Sequence, residues 1–253
     1  MDWVNNSITD DKGKYLYKFL SKKHLELFLN SGSIWFSRAD KFGDKLECVT
    51  IQDLKKEKID IKKVKQIQRQ HLIACFHEAT NETLAFWDTY SQNEDERRVF
   101  ALKFQLDEFC KKIIDANIPI ESHKIKKRIH GKVIYKNLLS TKKETLEEKK
   151  VKYISLRKEY AFKYEREYRF VIKTKDQFDE NGINIHLGNI TTQVFEILVN
   201  PLLENEPYFK LLDYLKEKDV FDKFSLTKIT KFFKPELTNA AYIKNKMPIK
   251  LIA

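Results

Sequence analysis

Glu165, Glu167 and Arg169 stand at alternate positions in the stretch Tyr160–Lys173, YAFKYEREYRFVIK. Side chains on a strand point alternately to its two faces, so a strand here lines the two carboxylates and the guanidinium along one face. Arg166, Tyr168, Phe170 and Ile172 then line the other, and apart from Arg166 that set suits packing. A solvated strand seldom needs that arrangement, which makes the three residues candidates for chemistry. The same residues also fit a surface salt-bridge ladder, or a helix in which Glu165 and Arg169 pair at i,i+4. A second group of acids, Asp40, Asp44 and Glu47, follows a predicted strand. With Glu165 and Glu167 it could collect a hard cation, as a metal-dependent nuclease requires. Turn chemistry accounts for Asp40 and Asp44 equally well. Trp87 and Tyr90 could stack on a flat ring, but their helical spacing from Leu84 also fits a core face. His77, in an apolar run beside Cys75, reads as a core histidine with its hydrogen bonds met.

These residues need elements to hold them. Tyr15–Leu20 alternates as a first strand, and Ser21 caps a helix over KKHLELFLNS that ends at Gly32. SIWFSRAD reads as a second strand, HLIACFHE as a buried strand, LAFWDTYS as a helix, VFALKF as a strand and LDEFCKKIIDAN as an amphipathic helix. Ile51–Arg69 reads as an exposed helix, GKVIYKN as a strand, and residues 142–163 as one long helix running into the Glu-x-Glu strand. GINIHLG and FEILVNP give two more strands, YFKLLDYLKEK a helix and FSLTKITKFF a last strand. The predicted class is α+β, with mixed or antiparallel sheets flanked by helices. The simplest reading is one domain over residues 1–253, with a loose tail at 1–13 in which only Trp3 docks and an irregular tail at 234–253.

Composition narrows the classes. The chain of 253 residues is 42% hydrophobic and 13% aromatic, enough to bury a sizeable core. It has no run of eighteen apolar residues and no basic-then-apolar start, which predicts neither a membrane helix nor a secretory signal. Three scattered cysteines without CxxC spacing fit a reducing cytoplasm and no structural zinc. With 6 glycines and no glycine-rich phosphate motif, a phosphate-cradling loop is not expected. The net charge is +11, and between Ser122 and Lys158 thirteen Lys or Arg face three Glu. Such a block, with Lys124, Lys126, Lys127 and Arg128 at its head, suits a nucleic-acid partner, although a solvated lysine-rich face explains it as well.

LYKFL, GSIWFSRADKFGDKLE, CFHEATNETLAFWDTYS, RKEYAFKYEREYRFVIK, INIHLG and ILVNP occur in an order and at spacings that resemble the bacterial domain-of-unknown-function 2971 family. The resemblance runs from about Tyr15 to Phe233. It implies, more distantly, similarity to the ADP-ribosyltransferases, α+β enzymes that bind NAD between two sheets. By that analogy Tyr17 or Lys18 stands on the first strand, Trp35 and Ser37 on the second, and Glu165 and Glu167 on a late third, with Trp87, Tyr90 and Arg169 as further NAD contacts. Cleavage of the nicotinamide bond builds an oxocarbenium centre, which a carboxylate stabilises in the transition state. The analogy gives that task to Glu167, leaves Glu165 to orient or deprotonate an acceptor, and needs no metal. A bacterial toxin or anti-phage effector is the setting it suggests. The other readings are a nucleic-acid-binding module without catalysis and the metal-dependent nuclease.

Overall fold

The computed structural model describes residues 2–5, 14–48, 60–91, 99–137, 153–188 and 195–238. Periodic stretches become, in chain order, β1 (Trp3–Asn5), β2 (Tyr15–Leu20), α1 (Lys22–Ser31), β3 (Ser33–Arg38), α2 (Ile61–Arg69) and β4 (His71–Ala79). Next come α3 (Leu84–Ser91), β5 (Phe100–Gln105), α4 (Leu106–Asp115), β6 (Ile125–Lys132), β7 (Ile134–Lys136) and β8 (Arg157–Glu159). The described chain closes with β9 (Glu167–Thr174), β10 (Gly182–His186), β11 (Glu196–Val199), α5 (Asn205–Glu217) and α6 (Lys228–Phe233). The class is α+β, and the pairing is mixed but mostly antiparallel. No helix among the described residues is long and apolar enough to cross a membrane.

The chain divides into two compact units. In the first (Met1–Lys12, Ser31–Glu78 and Asp107–Thr191), the strands run β1-β6-β9-β4-β3-β10, and only the β1–β6 pair is parallel. Register fixes which residues share a face. Ser37 lies opposite Ile73, Ile73 opposite Val171, and Val171 opposite Ile129. Trp35, Ser37, Glu167, Arg169, Lys173 and Lys127 therefore belong to one face, by the period of two. Ala39, Cys48 and Leu156 cover the middle of that face as an apolar cluster with Ile73, Ile129 and Val171. On the opposite face Phe76 and Phe170 pack edge-on to Phe109 of α4, with ring centroids 5.0 and 5.8 Å away. A short parallel ribbon, β7 with β8, completes the unit.

The second unit (Gly13–Asn30, Ala79–Leu106 and Thr192–Ala253) carries β2-β5-β11, all antiparallel. Its core holds Tyr17, Phe19, Phe86, Trp87, Ala101 and Leu198. Ser21 caps α1 as expected, its hydroxyl accepting from His24 N. Gly32, at φ 59°, ends that helix in the left-handed conformation glycine adopts freely.

Four expectations give way. Within the expected loose tail, Trp3–Asn5 pairs along β6 as a strand, and the Trp3 ring packs edge-on to His130 and Phe170. The described part of the long helix, from Tyr153 on, is a 3-10 turn, then β8, then a second 3-10 turn at Tyr160–Glu165. Lys158 there is held by carboxylates, which outweighs helix propensity. Within FSLTKITKFF, Lys228–Phe233 forms α6, because the Thr227 side chain caps it by accepting from Thr230 N at 3.0 Å. Pro235–Thr238, in the expected irregular tail, is a 3-10 turn. The 142–152 part of the long helix, the 51–59 part of the exposed helix expected over Ile51–Arg69, and residues 92–98 and 239–253 lie outside the described residues.

Candidate active site

Arg169 is the anchor. It lies in the middle of β9, facing the covered side of the first unit, and its side chain is 1% exposed. A buried guanidinium must have its donors met. Nη1 and Nη2 donate to the two oxygens of Glu47 at 2.8 and 2.9 Å, the fork-to-fork pairing that suits arginine and carboxylate. Nη1 also donates to the Ser155 carbonyl at 2.9 Å, and Nε to Glu167 Oε2. The other oxygen of Glu167 accepts from Lys158 Nζ at 3.0 Å, and the same ammonium donates to Glu165 at 2.5 Å. The charges thus alternate from Glu47 through Arg169, Glu167 and Lys158 to Glu165. Exposure rises along that chain, from 1% at Glu47 and Arg169 to about a tenth at Glu167, Lys158 and Glu165.

Local backbone delivers these groups. Glu47 comes from the turn after β3, next to Cys48, a non-glycine residue at φ 55°. Glu165 ends the 3-10 turn and is not on the strand, contrary to the alternation read from the sequence. Arg166, in the left-handed region at φ 43°, turns the chain between the two acids so that both still meet Lys158. Its carbonyl accepts from Glu78 N at 2.9 Å, which ties the turn to the end of β4. Tyr135 Oη accepts from Glu167 N at 2.6 Å. Nδ1 of His77 donates to the Glu165 carbonyl at 2.9 Å; burial lowers that imidazole to about 4, so it is neutral.

The two acids of the strand end are pushed apart. Burial and the neighbouring Glu167, through hydrogen bond and charge, raise Glu165 to about 7 against the pull of Lys158. Burial would raise Glu167 too, but the Arg169 charge, the hydrogen bond with Glu165 and the Lys158 charge outweigh it, and its pKa falls well below the carboxylate range. Lys158 rises, because Glu167 and Glu165 overcome its desolvation. Three carboxylates against two cations leave one net negative charge when Glu165 is ionised. Neighbouring acids driven apart, one raised towards neutrality and the other held far below it, are the usual signature of divided acid–base roles.

The remaining predicted residues fall into two groups. Trp35 and Ser37 share the sheet face of Glu167; the Trp35 ring is 45% exposed and lies over Gly182, where a Cβ would meet it at 2.5 Å. Tyr17, Lys18 and Trp87 belong to the second unit. Trp87 is fully buried and donates Nε1 to Glu82 at 2.6 Å, and Tyr17 is 2% exposed, so these rings are core and offer no face for stacking. The Tyr90 side chain lies outside the described residues. Of the turn acids, Asp40 pairs with Arg38 and Asp44 accepts from Leu46 N, as turn residues do, and only Glu47 reaches the site. Arg169 fills the space between Glu47 and Glu167 that the nuclease reading gives to a cation, and among the described residues no three ligating side chains cluster for a metal.

Lys158, Ser155 and Tyr135 are the members that residue patterns did not single out. Lys158 stands in the basic block and at the start of the segment RKEYAFKYEREYRFVIK, but nothing in its spacing separates it from the lysines beside it. Comparison of the chain with models of protein families, with curated proteins and with solved structures finds no match.

Proposed function

We propose that the Lys158–Glu165–Glu167 end of this cluster is the acid–base centre of an NAD-consuming glycosyl-transfer enzyme resembling the ADP-ribosyltransferases. One observation carries the acid–base part: two adjacent carboxylates share one ammonium, and burial with the anionic neighbour raises Glu165 above the usual carboxylate range. NAD enters through the resemblance of the Glu-x-Glu segment and of Trp35 and Ser37 on the same face.

The division of labour differs from the one expected from sequence. Both oxygens of Glu167 are held by cations, so it serves as a fixed anion that positions Lys158 and sets the field. Glu165, at the outer end, is the group that moves a proton. As the C1′–N bond breaks, its electron pair goes to the nicotinamide ring nitrogen and nicotinamide leaves neutral. The ribose is left as an oxocarbenium, which the net negative cluster favours. An acceptor oxygen bonds to C1′ and gives its proton to the Glu165 carboxylate.

Release of nicotinamide from NAD, with and without a cell lysate as acceptor, tests this. Glu165→Gln should cut release at least about a hundredfold, the usual contribution of a general base, without loss of folding. No release and no binding of NAD at millimolar concentration, or full activity in Glu165→Gln, overturns it.

A further inference from the structure

The β6–β9 pair contains an arrangement that the acid–base centre does not use. After a bulge that sets Lys126 outside the ladder, Lys127 stands directly opposite Lys173. Like charges directly opposite on a sheet repel, and such pairs destabilise it. Lys126 and Lys127 are exposed and Lys173 is half-buried. Among the described residues none of the three has a carboxylate partner, whereas Lys124 beside them has Glu121 at 3.3 Å. Lys127 Nζ sits over the Tyr153 ring, 4.6 Å from its centre. Desolvation and the charges of Lys126 and Lys127 hold Lys173 below the usual lysine range.

An anion between these ammonium groups would turn the repulsion into attraction. Lys173 is six residues along β9 from Glu167, about 20 Å at the strand rise. That is too far for the pyrophosphate of a nucleotide whose ribose reacts at Glu165. The bulge also carries no glycine and no helix start, the devices that wrap a lone phosphate in backbone N–H groups. Solvated lysines on an open strand pair suit an extended polyanion instead. Arg128, placed in the basic set by sequence, pairs with Ile172 and so belongs to the other face, while Lys124 is engaged by Glu121.

We propose that Lys126, Lys127 and Lys173 bind the phosphates of a single-stranded nucleic acid, with Tyr153 beside them as a stacking ring. This goes beyond the glycosyl-transfer reading and stands or falls apart from it.

Fluorescence anisotropy with a labelled oligothymidylate tests it over a salt series, with unlabelled duplex DNA and inorganic pyrophosphate as competitors. Three contacts on a single strand predict that the triple variant Lys126→Gln, Lys127→Gln, Lys173→Gln makes the slope of log K against log salt shallower by about 2. Affinity at low salt should fall at least tenfold. Removal of the repulsion should leave the melting temperature unchanged or higher, which separates a binding defect from misfolding, and nicotinamide release should not change. Unchanged affinity and slope in the variant overturn the site. Binding of pyrophosphate without the oligonucleotide, or duplex competing better than single strands, overturns the choice of partner.

Discussion

Each unit buries a glutamate, and the two are satisfied in opposite ways. In the first, Glu167 is held by the cations Lys158 and Arg169. In the second, Glu82, 8% exposed, accepts from two neutral donors, Trp87 Nε1 at 2.6 Å and Thr227 Oγ1 at 2.5 Å. Burial favours the protonated form in both. Neutral donors and the more remote Lys103 only partly offset it, so Glu82 stays above the usual carboxylate range, whereas two adjacent cations take Glu167 far below it. Glu165, with one shared ammonium and an anionic neighbour, falls between them, raised to about 7. Burial alone therefore does not decide whether an acid is charged; the formal charge of its donors does.

The largest test of that contrast is Arg169→Met. It leaves Glu47 and Glu167 buried without their common cation and should cost about 3–5 kcal/mol, read from urea unfolding. Glu82→Gln keeps a carbonyl oxygen among neutral donors and should cost about 1 kcal/mol. Equal losses would break the distinction between the two regions.

Glu167→Gln comes next. Its near-isosteric shape alone would leave the melting temperature within a few degrees of wild type. Two charge-assisted bonds to buried cations point instead to a loss of about 3 kcal/mol, or about 6–12 °C for a chain of this size.

Acidity gives the third test, and its sign differs between the acids. Glu82 and Glu165 have raised folded pKa values. Their stabilising effect is full below the unfolded value near 4.5 and is lost as pH rises through the folded value, about 7 for Glu165. Glu167 is lowered, so its contribution is present above about 4.5 and is lost as pH falls. Wild-type stability should decline between pH 5 and 8, and the double variant Glu82→Gln, Glu165→Gln should flatten that decline in urea midpoints. Nicotinamide release should rise with pH through about 7, and Lys158→Met should move that midpoint upward, since Lys158 is what lowers Glu165.

The smallest effect belongs to the hinge between the acids. Arg166→Gly removes the left-handed penalty of roughly 1–2 kcal/mol but adds freedom to the unfolded chain, so a gain of up to about 1 kcal/mol is expected. Arg166→Val should instead destabilise, because a β-branched residue resists that conformation. A stabilised Val variant would show that the turn is not held as described.

Local pattern determined much of the framework. β3, α1 and α4 follow from periods of two and 3.6, because each has one apolar face to bury, whereas β4, buried on both faces, follows from a short apolar run bounded by polar residues. That Glu167 and Arg169 share a face follows from the period of two. Other features depend on partners distant in sequence. Glu47 meets Arg169 across 122 residues and Thr227 meets Glu82 across 145, and no spacing rule links positions so far apart. Glu165 joins Glu167 through a left-handed residue in a turn, where strand alternation does not apply. β8 and α6 run against the local pattern because the capture of Lys158 by two carboxylates and the capping by Thr227 outweigh local propensity. Residue types and their order supplied the acids; only the tertiary structure decided which cation each acid meets, and hence which is held as an anion and which is raised towards neutrality. The reason is that a proton's affinity for a buried carboxylate depends on charges a few ångströms away, wherever they lie in the chain.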